Sequence, residues 1–149
     1  MAWVKTDHAI VAREQLLGGF TGGNPAVFYP ISNLGISLVN GRISFEVSAS
    51  PNAVSVTSDP IPIVNNEWFH IAITYDRNAV KFFFNGASVG TASILTTFGS
   101  FFQNQIGHNS IEFGGITIVD QFLGALDELR MENAVRTDSD ILNYYNLTK

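Results

Sequence analysis

Hydrophobic and polar residues alternate along this chain in short runs that are separated by turn residues. The clearest begins at Ile36, where Ile36-Ser37-Leu38-Val39 meets Asn40-Gly41 and continues as Arg42-Ile43-Ser44-Phe45-Glu46-Val47. Asn-Gly supplies the two positive-φ positions of a type I′ turn, so the two runs are expected to form a hairpin. Ile43, Phe45 and Val47 then share one sheet face, opposite Arg42, Ser44 and Glu46. A longer run spans Glu67 to Asp76, followed by a turn at Arg77-Asn78, then Val80-Lys81-Phe82-Phe83-Phe84 and a second Asn-Gly at 85–86 before Ala87-Ser88-Val89. Phe69, Ile71, Ile73 and Tyr75 alternate with Trp68, His70, Ala72 and Thr74. Both sets are largely apolar, which predicts a strand covered on both sides, as in the middle of a sandwich. Further strands are expected at 2–5, 9–13, 26–31, 53–57, 101–107, 111–119 and 122–131.

One segment breaks the β pattern. Thr137-Asp138-Ser139-Asp140 has the form of a capping box and precedes Ile141, Leu142 and Tyr145 at helical spacing. This predicts a C-terminal helix of about two turns, its apolar side resting on the sheets. Many short strands with regular turn signals and one small helix make the expected fold all-β, a sandwich of antiparallel sheets. Composition agrees: 14 Ile, 12 Val, 12 Phe and 10 Thr favour strands, while 13 Gly and 5 Pro punctuate them. The 149 residues are expected to form one domain over 1–149. The net charge is −5 and the 8 Lys+Arg are scattered, so neither nucleic acid nor an anionic membrane surface is an expected partner. No stretch approaches the ~20 apolar residues of a spanning helix, and Met1 leads into Ala2-Trp3-Val4-Lys5 without the apolar core of a signal peptide. The absence of cysteine removes disulfides, thiolate metal sites and Cys nucleophiles.

Five segments in series carry a more specific signal: Asn66-Glu67-Trp68-Phe69-His70-Ile71-Ala72, the Asn85-Gly86 hairpin, Ile106-Gly107-His108-Asn109, Phe122-Leu123-Gly124-Ala125-Leu126-Asp127-Glu128, and the closing Asp138 to Tyr145. Together with the early Trp3-Val4-Lys5 they resemble, over nearly the whole chain, the laminin-G-like modules of the concanavalin A-like lectin/glucanase superfamily. The resemblance implies a jelly-roll sandwich of two curved antiparallel sheets. It also marks a departure, because such modules usually open with a strand some way before the Trp-Val-Lys segment. This chain is expected to lack that strand, and a neighbouring subunit is one way to cover the edge it would leave.

The resemblance further implies what chemistry to look for. Glucanase members carry paired carboxylates in a Glu-x-Asp-x-x-Glu strand, a spacing absent here: Asp127 and Glu128 are adjacent and face opposite ways, while Glu46, Glu67 and Glu112 are isolated. An enzyme is therefore not expected. Asp127 is the residue that in this family ligates a structural calcium or else braces loop amides; calcium, which needs six to eight oxygens, is the one cofactor left open. His70 is read as a buried imidazole whose ring nitrogens are hydrogen-bonded inside the sandwich, against the alternative of a ligand-facing group beside Trp68. His8 and His108 are far apart in sequence, so zinc has no support. Glycans are held by aromatic faces together with amides and carboxylates on rim loops, and the candidates for such a site are Phe98, Phe101, Phe102, Asn104, His108 and Asn109.

The function expected on these grounds is a binding or adhesion module for a glycan or protein ligand. The alternative is a structural or decoration protein of a surface or virion assembly, such as a phage component. A glycoside hydrolase is the third reading. A homo-oligomer or larger assembly, and an extracellular or virion-surface location, accompany the first two.

Overall fold

The computed structural model describes residues 1–19, 33–49, 52–94, 104–113 and 116–149. Among these residues there are two five-stranded antiparallel sheets and a separate two-stranded hairpin. The first sheet runs in the order β12 (Gly124–Asp127), β1 (Ala2–Thr6), β6 (Trp68–Tyr75), β7 (Ala79–Phe84), β8 (Ala87–Ser93). The second runs β5 (Asn52–Thr57), β4 (Arg42–Ala49), β3 (Asn33–Val39), β2 (Glu14–Gly19), β9 (Asn104–Ile106). The hairpin is β10 (His108–Phe113) with β11 (Ile116–Gln121), and it packs along β2. The expected all-β sandwich with a short C-terminal helix is the fold observed.

Alternation decides which side chains meet between the sheets. Ala2, Val4, Phe69, Ile71, Val80 and Phe82 of the first sheet interdigitate with Leu38, Ile43, Phe45 and Val47 of the second. The Asn-Gly turns adopt the backbone their sequence calls for, with φ of 48° and 66° at Asn40 and Gly41, and 49° and 79° at Asn85 and Gly86. Gly86 is needed for a second reason: a Cβ there would lie 3.0 Å from Leu142 Cδ1 of the helix and 3.1 Å from Tyr145 Cβ.

The helix α1 (Asp138–Thr148) is 11 residues long, about three turns rather than two. Its capping box is complete, with the Thr137 hydroxyl accepting from the Asp140 N–H and the Asp140 carboxylate accepting from the Thr137 N–H. Ile141 is the helix residue buried on the sheet, in a small second core with Ala72 and Phe83. This explains the Phe82-Phe83-Phe84 run: Phe82 fills the sandwich, and Phe83, on the opposite face, fills the space under α1. The two-sided cover expected for β6 holds at His70 and Ala72, where the outer layer is a helix and not a sheet, while Trp68 on the same face stays exposed.

Three sequence expectations need correction. The strand expected at 9–13 starts instead at Glu14, because the preceding segment is held as a bend by His8 contacts to Thr6, Asp7 and Glu14. Ile10 is buried while Val11 is 77% exposed, so the apolar run there marks a single anchor and no ladder. The span 111–119 is divided between β10, which ends at Phe113, and β11, which begins at Ile116. Of 122–131 only Gly124–Asp127 is a strand, ended by Glu128 at φ 48°. The strand expected at 26–31 lies outside the described residues, as do 101–103.

Candidate functional site

The outward face of the second sheet is polar and is assembled by register. Gln15, Ser37, Ser44 and Thr57 lie opposite one another across β2, β3, β4 and β5. The next outward row is Gly18, Gly35, Glu46 and Ser55, continued on β9 by the position of Gln105. A bulge at Leu16 brings the two rows into line: the β2–β3 register shifts between Gln15 and Leu17, which lets both Leu16 and Leu17 bury.

Arg13, just before β2, reaches across to Glu46 and pairs through both guanidinium nitrogens with both carboxylate oxygens. Ser55 donates to Glu46 Oε1 at 3.3 Å, and Ser44 to the same oxygen at 3.4 Å. The Arg13 and Glu46 side chains are 37% and 24% exposed, and Ser55 is exposed, so this end of the row meets solvent. Gly35 keeps the row flat, since a Cβ there would stand 3.3 Å from Gln15 Nε2 and 3.4 Å from Glu46 Cβ. Deeper in the face, Gln15 donates to the Ile36 carbonyl at 3.2 Å, while Gln15 Oε1 and the Ser37 hydroxyl are buried without a hydrogen-bond partner. Such unmet hydrogen-bonding capacity costs stability, and because Gln15, Ser37 and Ser44 are each no more than 1% exposed, only the Arg13–Glu46–Ser55 end of the row is open to solvent.

Of the residues singled out from the sequence, Phe98, Phe101 and Phe102 lie outside the described residues. Asn104 opens β9 opposite Gly19, and His108 and Asn109 open β10 opposite Gln121 and Asp120. Asn104 therefore borders β2 directly, while His108 and Asn109 open the hairpin that packs along β2. Asp127 is elsewhere, on β12 opposite Trp3, where its Oδ1 accepts from the Glu128 N–H at 2.8 Å. Among the described residues, no three His, Asp or Glu side chains converge as metal ligands.

His70 departs from expectation. It is fully buried, yet on the outer side of the first sheet, with Trp3, Tyr144 and Tyr145 at ring-centroid distances of 5.5, 5.5 and 6.1 Å. Neither ring nitrogen has a hydrogen-bond partner. Burial, aided by the positive chain terminus and opposed by Glu128, pushes its pKa down to about 4, so the imidazole is neutral at ordinary pH. It is a packing element under α1 and takes no ligand in this arrangement.

Arg13, Gln15 and Ser37 were not singled out by sequence reasoning. Ser44 and Glu46 carried a signal, as the polar half of a clear alternation, but their meeting with Arg13 depends on a bulge and on pairing across 33 residues.

No curated protein sequence matches the chain. Solved structures of similar fold do. The Ruminococcus gnavus IT-sialidase CBM40 bound to alpha2,3 sialyllactose superposes with a TM-score of 0.69 at 16% identity, covering 97% of this chain and 79% of that one. Domains LG4-5 of the mouse laminin alpha1 chain give 0.62 at 16% identity, covering 85% of this chain and 32% of theirs. The binding domain of Botulinum Neurotoxin DC in complex with SialylT gives 0.63 at 12%, covering 99% of this chain and 34% of that one. At such identities the likeness establishes the fold alone. A laminin-G family model, described as concanavalin A-like lectin/glucanases superfamily, matches residues 1–142, and the chain belongs to that family.

Proposed function

We propose that this chain is a non-catalytic glycan-binding module that holds its ligand on the polar outer face of the β5-β4-β3-β2-β9 sheet. The observation that carries the reading is the solvent-facing Arg13–Glu46–Ser55 group at the end of a flat cross-strand row. A guanidinium offers only donors, a carboxylate only acceptors and a hydroxyl both, the set that neighbouring sugar hydroxyls require. Gly35, paired with Glu46, adds no side chain that would block a sugar ring from the exposed group. A solved structure of similar fold, the CBM40 bound to alpha2,3 sialyllactose, makes sialyllactose the first glycan to test.

The test is retention on immobilised 3′-sialyllactose, 6′-sialyllactose and lactose, run with calcium and with chelator because the resemblance leaves calcium at Asp127 open. Retention on at least one glycan is expected, with Glu46→Gln and Arg13→Ala each weakening it by about tenfold or more, the scale of one lost charge-assisted hydrogen bond. No retention under either condition, or retention unchanged in both variants, would overturn the proposal.

A further inference from the structure

The first sheet also has an outward face, and α1 covers only part of it. Trp3, His70, Ala72 and Phe83 are sealed beneath the helix, whose Thr148 accepts a hydrogen bond from Trp3 Nε1 at 3.1 Å. Trp68 lies two positions along β6 from His70, on the same face, and is 44% exposed. Trp3 and Trp68 are the chain's two tryptophans, and the helix covers the first and leaves the second open.

The surroundings of Trp68 form a groove of about 380 Å³, lined by Lys5, Asp7, Asn66, Leu123 and the small residues Gly124 and Ala125. Lys5 is the cross-strand neighbour of both Trp68 and Ala125, so nothing large stands beside the indole on β12. Gly124 has to be small: a Cβ there would come within 2.3 Å of the Lys5 carbonyl oxygen. The walls are tied together. His8 Nδ1 lies 3.0 Å from Asp7 Oδ1, His8 Nε2 lies 2.6 Å from Glu14 Oε1, and Glu14 Oε2 accepts from the Leu123 N–H at 3.2 Å. Asn66, at φ 66°, is pinned by its N–H to the Thr6 carbonyl at 2.6 Å. The groove is thus formed in advance of any ligand.

We propose that this groove is a second sugar-binding site, independent of the polar face, in which a pyranose ring stacks its C–H face on Trp68. An open indole accepts such a face, and an ammonium, an amide and a carboxylate around it supply donors and acceptors for the ring hydroxyls. A purely apolar partner would leave Lys5, Asp7 and Asn66 desolvated and unpaired, which disfavours a protein interface here. With sites on opposite faces of the sandwich, one chain can bridge two glycans, and its avidity for a multivalent surface exceeds either affinity.

Nuclear magnetic resonance of the two indole N–H groups tests this, since one signal disappears in Trp68→Phe and is thereby assigned. The probes are lactose, N-acetyllactosamine, 3′-sialyllactose and cellobiose at about 10 mM, enough to fill a millimolar site. A saturable shift of the Trp68 signal is expected with at least one probe, preserved in Glu46→Gln, weakened in Trp68→Phe as read by heat of binding, and lost in Trp68→Ala. The proposal is overturned if no probe moves that signal, or if the shift vanishes in Glu46→Gln. It is likewise overturned if light scattering shows a dimer that Trp68→Ala breaks, because the groove would then be a contact between copies. Failure of the polar face leaves the Trp68 shift in place, so the two proposals fail separately.

Discussion

The two outer faces of this sandwich are made by the same alternation and end up with opposite fates. On the first sheet the outward positions Trp3, His70, Ala72 and Phe83 lie under the only described helix, which covers them. On the second they are Gln15, Ser37, Ser44, Glu46 and Ser55, with Arg13 reaching in from outside the ladder. Apolar outward residues demand cover, since each large side chain left in water forfeits roughly 1.5–3 kcal/mol of burial. Polar outward residues demand partners, and some here have none within the chain. The residues under α1 therefore stabilise the fold, while on the second sheet the Arg13–Glu46–Ser55 end of the row is left open to solvent.

Substitutions on the two faces should differ in size and in sign. The largest effect is expected from Phe83→Ala, which empties the space between α1 and the sheet. Truncating a buried Phe costs about 3–5 kcal/mol, readable as a fall in the denaturant midpoint, with α1 lost from the far-ultraviolet dichroism. A cost under about 1 kcal/mol would mean that the helix is not held by this contact.

Acid should act on the same face. His70 has an ordinary pKa of 6.5 when unfolded and about 4 when folded, so between those values the unfolded chain binds the extra proton. Stability contributed by the neutral ring is complete above pH 6.5, declines as pH falls toward 4, and changes no further below; the full loss is about 3 kcal/mol at most. His70→Phe should flatten that part of the stability profile. An unchanged profile would show that some other group sets it.

The smallest effect belongs to the polar face and carries the opposite sign. Ser37→Ala removes a buried hydroxyl that has no partner, so the melting temperature should hold or rise, by about 1 kcal/mol of added stability at most. A clear loss of stability would mean that the hydroxyl is satisfied in solution, and the contrast between the faces would weaken.

Much of the architecture was readable from short-range pattern. Asn40-Gly41 and Asn85-Gly86 specify their turns because few other residues tolerate two successive positive φ values, and Thr137 with Asp140 specifies the helix start. Where reading failed, longer range prevailed. The segment 9–13 is as apolar as a strand, but His8 is claimed by Asp7 and Glu14, and the ladder starts later. His70 looked like a hydrogen-bonded core imidazole, because nothing in β6 itself reveals that two tyrosines from a helix some seventy residues on will close over it.

By itself, then, the sequence determined the class of fold, the hairpins, the helix and which residues of each strand share a face, since these follow from periods of two and of 3.6 and from turn stereochemistry. It also determined family membership, through motifs in series along the chain. Tertiary structure alone decided which outward residues are covered and which stay open to solvent. Arg13 meets Glu46 only once β2, β3 and β4 are in register, and Trp68 stays open while Trp3 is covered only because α1 ends over Trp3. Register and cover are properties of residues distant in the chain, and no local pattern encodes them.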